Sequence, residues 1–283
     1  DGVHRGHQKI IAELKQEAAR VNGETIIITF HPHPRKIVQP DRPLQLINTL
    51  DEKIKLLRLA AIDHLVIVPF TPEFAELTAD EYIENFLIRN FQPASVIIGY
   101  DHHFGKGRTG NYKLLEAKSA QFNYHLIEIP GQILNEITVS STKIRNAILS
   151  SDIAAANDLL GYSFFFEGIV VQGDQLGRTL GYPTANLQYT DDDKIHLGHG
   201  VYAVYAEVEG IPKKGMMSIG TRPTLNKTEE KVEVNLFDFD RIIYGKTIKV
   251  TVEHFLRGQE KYPSLDAMVQ QLHSDKEESL RLL

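Results

Sequence analysis

The sequence predicts an α/β fold in its first part and an antiparallel β fold closed by a helix in its second. Three observations predict it. Through residues 1–160, short apolar runs rich in β-branched residues alternate with stretches of helical periodicity. After about Gly161 the helical period stops, and short strands follow one another between glycine, proline and polar turns. The chain then returns to a helical stripe of Leu265, Met268, Val269 and Leu272 behind Ser264, a good N-cap.

In order along the chain, Ile10, Ile11, Leu14, Ala18 and Val21 recur at helical spacing. "ETIIITF" is a continuous apolar run, the pattern of a strand buried on both faces. "IKLLRLAAI" reads as a helix, "HLVIVPF" as a second strand, and "ADEYIENFLIRNF" as an amphipathic helix begun near Thr78 or Asp80. "SVIIGY", "NYKLLEAKSAQF" and "YHLIEI" continue as strand, helix and strand. Repeated β–α–β of this kind predicts a parallel sheet with helices on both faces, whose ligands bind beyond the carboxyl ends of the strands. "NAILSSDIAAANDLLGY" is a helical bridge, which places the domain boundary near 160, with domains 1–160 and 161–283. In the second part "FFFEGIVVQGD", "GVYAVYAEVEG", "KGMMSIG", "KVEVNLFDFD" and "KTIKVTVEHF" are the strands of a sandwich or barrel.

Composition narrows the function. The chain has 283 residues, 42% hydrophobic and 24% charged, with a formal net charge of −6, enough apolar material for real cores. Acidic residues outnumber basic ones in both halves, so neither carries the excess expected of a general nucleic-acid binder. There is no cysteine, which excludes disulfides, thiolate metal sites and a cysteine nucleophile and fits the cytoplasm. No apolar run is long enough to cross a bilayer, so no membrane partner is expected. Position 1 is not Met, so any upstream targeting segment is invisible in these residues.

Four stretches of the first part carry chemistry. "DGVHRGHQKI" sets His4 and His7 three apart where a helix begins, hence on one face, with Gly6 opening space between them. A helix N-terminus exposes unpaired N–H groups and attracts phosphate. Taken alone, such a pair also fits surface histidines. "TFHPHPRKI" leaves His31, His33 and Arg35 at a strand end stiffened by Pro32 and Pro34; a proline-rich turn or a histidine metal site fits the same letters. "IIGYDHHFGKGRTGN" offers Lys106 and Arg108 among glycines, or is a mobile surface loop. "TVSSTKIRNAI" brings Ser140, Ser141, Thr142, Lys143 and Arg145 into a helix, as its cap or as phosphate ligands.

In the second part, "GIVVQGDQLGRTLGYPTANLQY" punctuates a strand–loop–strand path with Gly173, Gly177 and Gly181 around Arg178. Thr184 and Asn186 lie two apart, on one side of an extended segment, and offer the hard oxygen ligands that suit Mg²⁺. Alternation in "KVEVNLFDFD" sets Glu233 and Asn235 on one face and Val232 and Val234 on the other. Glu233 is then either a solvated outer residue or a base inside a site.

The first four stretches, in this order and at strand ends, resemble the nucleotidyltransferase superfamily and, within it, the FAD synthetase module of bacterial bifunctional riboflavin kinase/FAD synthetases. The PTAN string, "SIGTRPTLN" and the run from "YGK" through "FLRGQEKYPSLDAM" resemble the riboflavin kinase module of the same enzymes. The resemblance covers essentially the whole chain. It implies a Rossmann-like nucleotidyltransferase domain followed by an antiparallel β-barrel with a closing helix, and it implies the strand ahead of Asp1. It implies phosphorylation of riboflavin to FMN by ATP and adenylylation of FMN to FAD, with Mg²⁺ as cofactor. In the N-terminal domain it implies His4, Gly6, His7, Ser141, Thr142 and Arg145 at ATP, with His4 and His7 catalytic, and His31, Pro32, Asp101, Phe104 and Arg108 at FMN. In the C-terminal domain it implies Gly173, Asp174, Gly177, Arg178, Thr184 and Asn186 at ATP, Thr184 and Asn186 at the metal, and Arg222, Glu233 and Arg257 at the flavin, with Glu233 the general base. The family has an aromatic residue after the Asp of the third stretch, whereas His102 and His103 follow Asp101 here. The alternatives are a cytidylyltransferase with an accessory β domain, and a flavin-binding protein without turnover at its N-terminal site. The oligomeric state is open.

Overall fold

The computed structural model describes residues 2–99, 102–129, 140–173, 175–223 and 228–283. The chain divides into two compact units: residues 2–44 with 50–140, and residues 45–49 with 141–283.

The first unit opens with helix α1 (Arg5–Val21), whose N-cap is His4 and whose C-cap Asn22 takes the left-handed conformation. Strands β1 (Ile26–His31) and β2 (His64–Pro69) pair in parallel, Ile26 opposite His64 through His31 opposite Pro69. Strands β3 (Ser95–Gly99) and β4 (His125–Ile129) form a second parallel pair. The predicted single sheet is therefore two two-stranded ladders among the described residues. The helix expected near Thr78 starts with a capping box, Thr78 accepting from the Glu81 N–H and Glu81 accepting from the Thr78 N–H, which meets two orphan donors. It then widens into a π-helical turn over Tyr82–Ile88. That turn carries Tyr82 and Phe86 into a run of ring contacts with Phe30, Phe70, Phe74 and Phe104. Burial pushes the Tyr82 hydroxyl up to about 12.

The second unit is a closed antiparallel barrel of β5 (Phe165–Val171), β6 (Ala185–Tyr189), β7 (Gly200–Val208), β8 (Ile211–Pro223), β9 (Thr228–Leu236) and β10 (Thr247–Arg257). Their order around the barrel is β10-β5-β6-β9-β8-β7, and β10 pairs with β7 across two register shifts. Closure leaves no unpaired edge. Phe164, Phe166, Tyr202, Val204, Met217, Ile219, Val234 and Val250 are fully shut from solvent and fill the interior. The helical bridge read as one element is two helices, Ser141–Leu149 and Ile153–Leu160. Ser151 turns left-handed between them, and Asp152 caps the second by accepting from the Ala155 N–H. A short acidic side chain next to a strained residue starts a new helix more readily than it continues an old one. Both helices belong to the barrel unit, where Asn157 donates to the Val252 carbonyl and accepts from the Phe164 N–H.

Residues 45–49 also belong to this unit, far from it in sequence. The Leu46 N–H donates to the Asp193 carbonyl at 2.6 Å, and the buried Lys194 donates to the Ile47 carbonyl at 2.7 Å while lying over the Phe164 ring. Tyr162 donates to the Asn48 side chain. No sequence periodicity marks this segment. The chain closes with a helix, Leu265–Leu282, capped by Ser264 accepting from the Ala267 N–H, as its sequence predicts.

Candidate functional site

The first cluster forms where α1 begins. His4 is 7% exposed and its ring centre lies 4.0 Å from that of His7. One helical turn brings the two together, and a Cβ on Gly6 would come within 3.1 Å of the His4 ring. Gly6 therefore clears room for an imidazole. Nδ1 of each ring is shut off from solvent without a hydrogen-bond partner among the described residues. Such a nitrogen costs about 1–3 kcal/mol until something bonds to it. Burial holds His4 down to about 4. Burial, then the charges of His4 and Lys53, hold His7 down to about 3. At neutral pH both rings are uncharged, so they can donate hydrogen bonds to an anion but bring it no positive charge.

The other groups of this unit sit at strand ends or in the loops after them. His31 ends β1, is exposed, and is followed by a cis peptide to Pro32. His33 accepts from the Arg35 N–H and so caps the short helix Pro34–Val38. Phe104 is 7% exposed and packs with Ala79, Ile83, Ile98, Leu115 and Tyr124. Arg108 is exposed and left-handed, and Lys106 pairs with Glu76 at 2.6 Å. Asp101 lies outside the described residues. His102 stacks loosely on Phe104, ring centres 6.0 Å apart at 30°. Ser141, Thr142 and Arg145 open the first helix of the barrel unit, where Arg145 donates to the Gln45 carbonyl at 2.8 Å and burial lowers its pKa.

In the barrel two cavities share one residue, Thr184. The first, about 270 Å³, is lined by Arg178, Pro183, Thr184, Val234 and the turn from Phe239 to Tyr244. The second, about 220 Å³, is lined by Gly177, Thr184, Glu233, Asn235, Arg257 and Asp275, among others. Strand pleating explains the choice of side chains. Val232 and Val234 are buried, 4% and 0% exposed, while Glu233 and Asn235 point into the second cavity. Asn186 stands opposite Glu233 in the β6–β9 ladder, and Ser218 stands opposite it in the β8–β9 ladder. A Cβ on Gly173 would fall 2.1 Å from the Asn186 amide nitrogen, so only glycine lets that amide keep its place. Asn235 donates to the Pro183 carbonyl at 2.6 Å and ties β9 to the PTAN segment.

A model of the FAD synthetase family matches residues 1–143, and one of the riboflavin kinase family matches residues 160–283. The chain is 33% identical over 279 residues to the bifunctional riboflavin kinase/FMN adenylyltransferase of Escherichia coli strain K12, covering 98% of this chain and 88% of that protein. The chain belongs to the bifunctional riboflavin kinase/FMN adenylyltransferase family. The Bacillus subtilis member is 35% identical over 287 residues, covering 99% of this chain and 89% of that protein. A crystal structure described as a macrolide-efflux protein from Streptococcus pneumoniae superposes with a TM-score of 0.88 at 31% identity, covering 99% of this chain and 90% of that one. Among the described residues no helix is long and apolar enough to cross a membrane.

Within this family member, the barrel brings Gly177, Thr184, Glu233 and Arg257 to one cavity and Arg178 to the other, with Asn186 beside Gly173 and outside both linings. Arg257 is not a loose cation. Asp275, 3% exposed, accepts from its Nε at 2.9 Å and its Nη2 at 2.6 Å, and accepts again from Gln271. Asp174 lies outside the described residues, and Arg222 is placed on β8 opposite Glu229. Sequence reasoning missed Lys53, Tyr182, Gln259 and Asp275. Two were legible. Asp275 falls on the stripe of Met268 and Leu272, and Lys53 precedes the buried Leu57 by four, so each is a charge on an apolar helix face. Tyr182, bonded to His273 at 2.5 Å, and Gln259, donating to the Ile219 carbonyl at 3.0 Å, depend on contacts across the barrel that no local pattern encodes.

Proposed function

We propose that the barrel transfers the γ-phosphoryl group of ATP to the 5′-hydroxyl of riboflavin, and that the N-terminal domain transfers the adenylyl group of a second ATP to the FMN so formed. We take residues 1–160 and 161–283 as the two functional halves of this cytoplasmic enzyme. The observation that carries the reading is the pair of cavities meeting at Thr184, with Glu233 in one and Arg178 in the other. Two substrates placed in adjoining clefts present a hydroxyl to a phosphorus, and most of the acceleration comes from that positioning. Riboflavin fills the cleft of Glu233 and Arg257, and ATP the cleft of Arg178. Glu233 takes the proton of the ribityl hydroxyl as its oxygen bonds to Pγ and ADP leaves. Thr184 and Asn186 supply a hydroxyl and an amide oxygen, hard donors that fit Mg²⁺. When bound, Mg²⁺ neutralises phosphate charge.

For FAD, an oxygen of the FMN phosphate attacks Pα of ATP and pyrophosphate leaves. The nucleophile is already ionised, so no strong base is required. The neutral His4 and His7 donate to the oxygens that gain charge at Pα, and the N-terminal end of the α1 dipole faces the same charge. Gly6, Ser141, Thr142 and Arg145 serve ATP, and His31, Pro32, Asp101, Phe104 and Arg108 serve FMN. In the barrel Gly173 and Asp174 serve ATP and Arg222 serves the flavin, while Gly177, read from the sequence as an ATP residue, lines the Glu233 cleft beside Thr184 and not the Arg178 cleft. The deciding experiment incubates the protein with riboflavin, Mg²⁺ and ATP and separates riboflavin, FMN and FAD by chromatography. Both products must appear in sequence. FMN without FAD would sink the N-terminal half of the reading, and CTP acting in place of ATP would turn it into a cytidylyltransferase.

A further inference from the structure

We propose that Lys53 is a triphosphate-binding residue of the N-terminal site, an inference that rests on the adenylyl transfer proposed above. Lys53 lies on the helix Leu50–Leu59, four residues before the buried Leu57, so its side chain leaves on the helix's inward side. Its ammonium donates to Thr29 Oγ1 at 3.1 Å. Thr29 is on β1, two residues before its carboxyl end at His31, the end at which parallel strands receive ligands. Lys53 is also close enough to His7 to oppose a charge on that ring.

Three facts make this more than a packing lysine. Burial opposes the charge of Lys53. Among the described residues no carboxylate pairs with it, and its one hydrogen bond goes to a neutral hydroxyl. An ammonium has three donors, so two remain for a ligand. Confining a cation with so little compensation is unfavourable unless an anion arrives. The adjoining imidazoles are neutral at physiological pH and offer hydrogen bonds only. A triphosphate needs positive charge as well, and Lys53 brings it from the same cluster.

The test uses the full chain and three proteins: wild type, Lys53→Met and Lys53→Arg. Initial rates of FAD formation from saturating FMN are measured against ATP concentration, and riboflavin phosphorylation is measured on the same samples. Lys53→Met should raise the KM for ATP in FAD formation about 10- to 100-fold. Lys53→Arg should recover most of the loss, and riboflavin phosphorylation should keep its wild-type rate in both. A Lys53→Met protein with unchanged kinase rate and wild-type KM and kcat in FAD formation would overturn the proposal. A second measurement reads anion binding on the wild-type protein itself. Wild-type lysines are reductively ¹³C-methylated and titrated with inorganic tripolyphosphate, the Lys53 signal being assigned from Lys53→Arg. That signal should shift and saturate; if it stays still while other lysines move, Lys53 does not meet the anion. Should wild type make no FAD at all, the activity assigned to the domain fails, and the titration still decides the anion site.

Discussion

His4, 7% exposed at the head of α1, and Glu233, on the open wall of a barrel cavity of about 220 Å³, show two ways of presenting polar groups in one chain. In the N-terminal unit the polar groups are crowded and desolvated: two rings 4.0 Å apart, both neutral, and a half-buried ammonium bonded to a threonine. In the barrel they are spread over two clefts, and Arg257 is bonded twice to Asp275 within the protein. The difference follows from the proposed chemistry. FMN attacks as an anion, so its site must stabilise added negative charge. Riboflavin attacks as an alcohol, so its site must remove a proton. Crowded donors suit the first task and an accessible carboxylate suits the second.

The sharpest way to break this comparison is to remove one site and watch the other. Glu233→Gln should lower riboflavin phosphorylation roughly 10²–10⁴-fold and leave FAD formation from supplied FMN intact. His7→Ala should do the reverse, by roughly 10²–10³-fold. Chromatographic assays of both steps on each folded variant check this, and loss of both activities in either one would mean the sites are not separable. Next in size is the buried pair. Arg257 and Asp275 side chains are 19% and 4% exposed, so Asp275→Ala removes the guanidinium's anionic partner and leaves it the Gly258 carbonyl. It should cost about 3–5 kcal/mol of barrel stability, read by urea unfolding. A near-wild-type midpoint would show that the Gly258 carbonyl and solvent are enough to satisfy the guanidinium.

Acid should find the N-terminal unit next. The folded pKa of His4 is about 4, below its unfolded value of about 6.5. The unfolded chain therefore binds the proton first, and the stability that a neutral His4 contributes is complete above pH 6.5 and falls as pH drops toward 4. The loss at pH 4 is about 3 kcal/mol from this ring alone. Amide hydrogen exchange across α1 between pH 7 and 4.5, corrected for the intrinsic rate, should show it; protection independent of pH would mean that folding does not lower the pKa of the ring. Gly173→Ala is smaller still. Its Cβ meets the Asn186 amide, and displacing it should cost about 1–3 kcal/mol. The readout is KM for MgATP in riboflavin phosphorylation, which must rise. At the bottom of the scale stands Lys106→Ala, which removes a pair whose side chains are 59% and 65% exposed. The thermal unfolding midpoint should stay at its wild-type value, and a clear drop would show that the pair holds the loop.

The change of grammar near Gly161, the parallel pairs, the barrel strands and the capped closing helix were all legible, because side-chain period and turn residues act over a few positions. Local chemistry likewise set His4, Gly6 and His7 into one turn, and Glu233 and Asn235 onto one strand face. Pairing of distant segments was not legible. Residues 45–49 joining the barrel unit through Asp193 and Lys194, the bridge breaking at Ser151, and Thr184 standing between two cavities all depend on which surfaces meet when the chain closes. The sequence by itself determined the elements, their order and the motif-bearing turns. Only the tertiary structure decided that burial lowers the pKa of His4 and His7, that Arg257 is held by Asp275, and that Lys53 bonds to Thr29 close to His7, because charge state and pairing are set by desolvation and by neighbours far along the chain.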